Sequence, residues 1–160
     1  MRKGLKVRLA LAAAAAGAVA VAALPASAST GTAHITGQGT ISPGLTQAGG
    51  AQTFTFSGNG AVATTTVQGA LSCSVTGNDT IGTNTQGSGN FSGTCSTSAG
   101  SASVAGSYTR TGGAVTVSGT ASGSFSGTFS GGCGFVPTGA GGGTPPAITA
   151  FVVSCQFTIS

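Results

Sequence analysis

Between residues 29 and 160 the side chains suited to proton transfer are one histidine, His34, and one acid, Asp79. With any of the many serines they would supply the residue types of a Ser-His-Asp nucleophile set. The chain lacks the G-x-S-x-G elbow that exposes such a serine at a strand-to-helix turn. His34 also falls on the polar side of its segment, with Thr36, Gln38 and Thr40, opposite Ile35 and Ile41. The reading is therefore a solvated strand histidine and a turn aspartate between Gly77 and Gly82, with no catalytic residue assigned.

The same counting excludes other chemistry. A two-carboxylate glycosidase needs a second acid. A metal centre needs several ligands in register, and no metal or cofactor site is assigned. Arg110 is the one cation beyond the first eight residues, so a phosphate-neutralising face for nucleic acid is absent. Asp79 and Arg110 are expected to be separate exposed residues near turns. A surface pair between them would contribute at most about 1 kcal/mol. Tyr108 should share a strand face with Arg110 and form a small exposed patch.

The other four basic residues, Arg2, Lys3, Lys6 and Arg8, open the chain. The uncharged run Leu9–Leu24 follows, and then Pro25-Ala26-Ser27-Ala28. A positive start, an apolar stretch and a small-x-small site describe a secretory signal peptide, with the cut expected after Ala28. The apolar run is short for a spanning helix, and no later segment approaches that length, so no transmembrane anchor is expected. The working protein is then one extracellular domain, residues 29–160.

All four cysteines, Cys73, Cys95, Cys133 and Cys155, lie in the exported part. An even count in an oxidising compartment implies two disulfides. The equal intervals from Cys73 to Cys95 and from Cys133 to Cys155 favour those two local pairings. Each loop would contribute roughly 3 kcal/mol by limiting the unfolded chain. Zinc would want close C-x₂₋₄-C pairs, which the chain lacks.

Positioning these residues falls to strands. From Val115 to Phe135 the odd positions read Val, Val, Gly, Ala, Gly, Phe, Gly, Phe, Gly, Cys, Phe, while the even positions from Thr116 to Ser130 are all Ser or Thr. Such alternation means one buried and one wet face. It recurs at Phe54 and Phe56, at Val67, Leu71, Cys73 and Val75, at Phe91 and Cys95, and along Phe151, Val153, Cys155, Phe157 and Ile159. Every cysteine lies on the apolar parity, so both bridges should be buried. Turns are expected at Ser42-Pro43-Gly44, Asn59-Gly60, Gly112-Gly113 and near Gly119–Gly123. Residues 137–146, rich in Gly and Pro, read as a mobile loop. A short repeat, Ser88–Thr94 against Ser122–Thr128, suggests two equivalent strands. Together these predict eight to ten short strands, an all-β antiparallel β-sandwich (immunoglobulin-like or jelly-roll-like) or a small barrel.

The Ala-rich leader ending Leu24-Pro25-Ala26-Ser27-Ala28, the Gly/Ser/Thr-rich strands and the four spaced cysteines resemble small secreted proteins of actinobacteria. In format the chain is also similar to neocarzinostatin-type apoproteins. That resemblance implies an immunoglobulin-like domain with two disulfides and a cleft for a small apolar ligand; the loops closed by disulfides there are shorter than those proposed here. The scarcity of titratable groups points to a noncatalytic extracellular domain, binding or structural, near the cell envelope. A neutral cell-wall polymer is one partner its hydroxyl faces would suit. The alternatives are a small-molecule carrier lined by phenylalanines and a self-assembling surface or pore-forming β protein.

Overall fold

A computed structural model describes residues 29–160. The expected leader, residues 1–28 with its cut after Ala28, lies outside the described residues. The chain forms β1 (Gly31–Leu45), β2 (Gln52–Thr64), β3 (Gln68–Asp79), β4 (Gln86–Thr97), β5 (Gly100–Thr111), β6 (Ala114–Gly123), β7 (Gly127–Ala140) and β8 (Ile148–Ile159). Each strand pairs antiparallel with its neighbours in sequence, and β8 closes on β1. Of the all-β architectures the alternation permits, the chain adopts the barrel.

The strands run 10 to 15 residues and are longer than expected. Several expected turns are strand interior. Asn59-Gly60 lies within β2, and Ser42-Pro43-Gly44 lies within β1, where the pairing to β8 shifts between Thr40 and Leu45. The turn placed near Gly119–Gly123 falls at residues 124–126. β7 continues through Pro137 to Ala140, so the connection expected at 137–146 is confined to residues 141–147. One copy of the short repeat sits in β4 and the other crosses the β6–β7 turn, so the copies are not equivalent strands. The Gly112-Gly113 turn stands as expected.

One physical fact explains most of these differences: glycine here serves the wall more than the turns. From Ile41 the line of directly opposed residues runs Phe54, Gly77, Phe91, Gly106, Gly119, Phe129, Ile159 and back to β1 at Gly31. Phenylalanine and glycine share the circuit. At Gly77 a Cβ would stand 2.4 Å from Phe54 Cζ, and at Gly119 it would stand 2.6 Å from Phe129 Cζ. Each ring tip takes the place of its neighbour's missing side chain. These glycines fill the inward parity and must stay unsubstituted for the rings to fit.

The circuit also fixes the barrel's shape. It returns to β1 at Gly31 after starting at Ile41, ten residues along the strand. Ten residues at ~3.3 Å against eight strand spacings at ~4.8 Å tilt the strands by about 40°. A barrel of that width either fills with side chains or encloses one small ligand.

Both disulfides form as expected. Cys73 faces Cys95 across β3–β4, and Cys133 faces Cys155 across β7–β8, with Cα–Cα distances of 4.1 and 4.0 Å. The first sits in the shortest of the ladders, Ser72–Gly77 against Phe91–Ser96, where backbone pairing is sparest. Cys73, Cys95 and Cys155 are buried and Cys133 is half-buried. Disulfides of this kind mark an oxidising environment. No helix among the described residues is long and apolar enough to cross a membrane.

Candidate ligand cavity inside the barrel

Inward side chains from the strands surround an apolar cavity along the barrel axis. About 220 Å³ of it is open to the centre of a water-sized sphere. Ile35, Phe56, Val75, Val104 and Val117 line its middle. Phe54, Phe91, Phe129 and Phe157 lie over glycines of adjacent strands, and Phe91 and Phe129 reach toward each other across the interior, 6.3 Å apart between centroids. They support each other edge to face, Phe54 with Phe151 at 6.5 Å and Phe129 with Phe157 at 5.6 Å between centroids.

The two ends of the barrel differ. The upper end carries the connections 46–51, 80–85, 112–113 and 141–147. Three of these are stitched together: Thr46 pairs with Thr83, Asn84 N–H donates to Thr46 O at 2.8 Å, and Gly112 N–H donates to Thr85 O at 2.6 Å. Leu45 is 1% exposed beneath them, and the buried Gln52 accepts from Gly44 N–H at 2.7 Å. The lower end has only the short turns 65–67, 98–99 and 124–126 beside the start and end of the described chain. There the cavity lining finishes at Ser29, Ser126 and Thr128. Ser29 N–H donates to Ser126 O at 3.1 Å, and its hydroxyl meets that of Thr66.

The upper end holds the two charged side chains, and here the expectation fails. Asp79 and Arg110 are each 4% exposed, not solvated turn residues. Asp79 ends β3 on the inward parity. Its Oδ1 accepts N–H bonds from Ile81, Gly82 and Ser88 at 3.0, 2.8 and 3.1 Å. Beyond Gly77, Asn78 likewise accepts from Asn90 N–H at 2.8 Å. The two side chains thus take over where the β3–β4 ladder stops.

Arg110 spends its guanidinium on the same loop. Nη1 donates to Asn84 O and Gly112 O, and Nη2 to Thr83 O and Gln86 O. Its planar fork serves four carbonyls at once, where a lysine's ammonium has three donors on a single atom. The guanidinium also lies 5.0 Å from the Phe135 ring centre, and Phe135 stacks on Phe151 at 5.3 Å. Burial lowers Arg110 from its ordinary value, and Asp79 opposes that shift. Asp79 and Arg110 both flank Gly87: a Cβ there would stand 2.2 Å from Asp79 Oδ2 and 3.3 Å from Arg110 Nε.

Tyr108 shares its strand face with Arg110 as expected, but that face is the interior. It is half-buried, packs edge-on to Phe54 at 5.5 Å and donates its hydroxyl to Asn78 O at 3.2 Å. Burial first, and then the Asp79 charge, hold the phenol well above its ordinary range. Asp79, Tyr108 and Arg110 all line the cavity. Parity was the signal for them: Asp79 follows Cys73 and Val75, and Arg110 follows Val104, at even intervals.

His34 is exposed on the outer face of β1, beside Thr36, with Nε2 and Oγ1 3.4 Å apart. It and Asp79 lie on opposite sides of the barrel wall, so the structure does not assemble the Ser-His-Asp set. Among the described residues no three of His, Cys, Asp or Glu gather where a metal ion could bind. No protein-family profile matches the chain, and neither a curated protein nor a solved structure matches it.

Proposed function

We propose that the protein is a secreted, noncatalytic carrier that holds one small apolar molecule inside its barrel, after removal of a signal peptide at Ala28. The cavity carries this reading. An apolar cavity of about 150 Å³ stays dry and takes a benzene-sized guest. The space here is larger and its wall is nearly all hydrocarbon. Burying the guest's surface contributes about 25 cal/mol per Å² removed from water.

Other features support the carrier over the structural and pore-forming alternatives. Closure leaves no free strand edge to pair with another copy. Most outward positions are Ser, Thr, Asn or Gln, with Val136 the large apolar exception in the strands, whereas a lipid-facing barrel turns its apolar side chains outward. The lower end, closed by short turns, offers the guest its way in.

Naphthalene, titrated into isotopically labelled protein and followed by NMR, tests the reading. Saturable shifts at Val104, Val117 and Phe129, with outward His34 and Thr36 unmoved, are expected. Shifts confined to the outer face, or none up to the solubility limit, would reject it.

A further inference from the structure

We infer that the cavity selects an apolar molecule bearing one neutral hydroxyl donor, an alcohol or a phenol, and receives that group at Asp79. This rests on the carrier reading and deepens it. The interior offers a guest three ionisable or phenolic groups, and all of them stand at the upper end: Asp79, Tyr108 and Arg110.

Their existing bonds decide what each can offer. Arg110 has committed both Nη atoms to four backbone carbonyls. Tyr108 has committed its proton to Asn78 O. Asp79 has committed Oδ1 to three N–H donors; Oδ2 takes none of these, and the Tyr108 hydroxyl borders the carboxyl. Oδ2 lies over the bare Cα of Gly87, and no buried side-chain oxygen or nitrogen among the described residues lacks a partner without touching open space. The residue is 4% exposed overall. A carboxylate oxygen so placed accepts a hydrogen bond and repels an anion.

The three properties select one class of guest. Hydrocarbon fills the middle of the cavity. A hydroxyl at one end donates to Asp79 Oδ2, and its oxygen faces the Tyr108 ring edge. A carboxylic acid would bring a second negative charge to Asp79, with both Arg110 Nη atoms already spent and only Nε, itself beside Asp79 Oδ2, left to answer it. A charged hydrogen bond in such a dry site is worth more than one in water.

Three matched probes at pH 6 separate the possibilities: naphthalene, 2-naphthol and 2-naphthoate, measured on wild type and Asp79→Asn. Asparagine keeps an oxygen for the three N–H donors and replaces the free acceptor with an amide donor. Wild type should bind 2-naphthol about tenfold tighter than naphthalene, and 2-naphthoate weakest. In Asp79→Asn the preference for 2-naphthol over naphthalene should fall to within about twofold. Equal binding of naphthalene and 2-naphthol by wild type would overturn this inference and leave the carrier standing. Tightest binding of 2-naphthoate would also overturn it, by placing recognition on Arg110. Binding of none of the three would overturn both. If Asp79→Asn does not fold, the wild-type series alone still decides.

Discussion

Phe54 stands directly opposite Gly77 in the β2–β3 ladder, and its ring occupies the space a side chain at Gly77 would need. The same relation joins Phe91 to Gly106, Phe129 to Gly119 and Phe157 to Gly131. A core short of large residues is thereby spread thin over the whole wall. The rings seat on the glycines of the wall and meet in pairs across the interior.

Adding one methyl group should therefore be costly. At Gly77 a Cβ would meet Phe54 Cζ at 2.4 Å and Asn90 O at 2.5 Å, and the backbone atom cannot swing away. Gly77→Ala and Gly119→Ala should each lower the unfolding free energy by about 1–3 kcal/mol in urea titrations. Gly134→Ala, where nothing lies within 4 Å, should change it by less than about 0.5 kcal/mol. Equal effects at all three sites would mean that the rings do not depend on the glycines.

The disulfides staple adjacent strands over a separation of 22 residues each. Replacing Cys73 and Cys95 together by Ala should destabilise the barrel by about 3 kcal/mol. The loss should appear as earlier exchange of amide protons in Ser72–Gly77, where the ladder is shortest. Unchanged stability would show that backbone pairing alone secures that seam.

Arg110 closes the upper end through four carbonyls, so its shape matters as well as its charge. Arg110→Lys should cost about 2–3 kcal/mol and speed amide exchange through residues 80–86. His34→Ala, on the outer face, should alter neither stability nor naphthalene binding. A lysine variant as stable as wild type would show that charge alone suffices at Arg110.

Tyr108 is the only tyrosine, so its ionisation can be watched directly by ultraviolet absorbance. Its proton is held more tightly in the folded chain than in the unfolded one, whose phenol has the ordinary value of 10.0. The sign follows: stability from this group is fully present below pH 10 and declines above it, as the unfolded state gains by releasing a proton. The phenolate step should appear above pH 10, and Tyr108→Phe should flatten the alkaline decline. A folded-state step at or below that value would place the hydroxyl in open water.

Much of this was legible in the alternation of residues. It put His34 outside, the cysteines inside and the phenylalanines on one face, and equal intervals paired Cys73 with Cys95 and Cys133 with Cys155. Turn positions were harder, because glycine has two uses. Asn59-Gly60 has the chemistry of a hairpin turn, yet Gly60 sits where a Cβ would strike His34 O at 1.8 Å. Only the pairing of β1 with β2 reveals that need. The burial of Asp79 and Arg110 was written in their parity. Charge argued for solvent, and although the loop 80–85 is local to Asp79, the carbonyls it offers Arg110 lie 26 and 27 residues away, beyond the reach of local pattern.

Native mass spectrometry of the protein secreted by its own host bears most directly on the carrier. The account predicts a monomer with two disulfides that carries extra mass, one small neutral molecule, released when the barrel is denatured. A bare monomer, with nothing lost on denaturation, would contradict it.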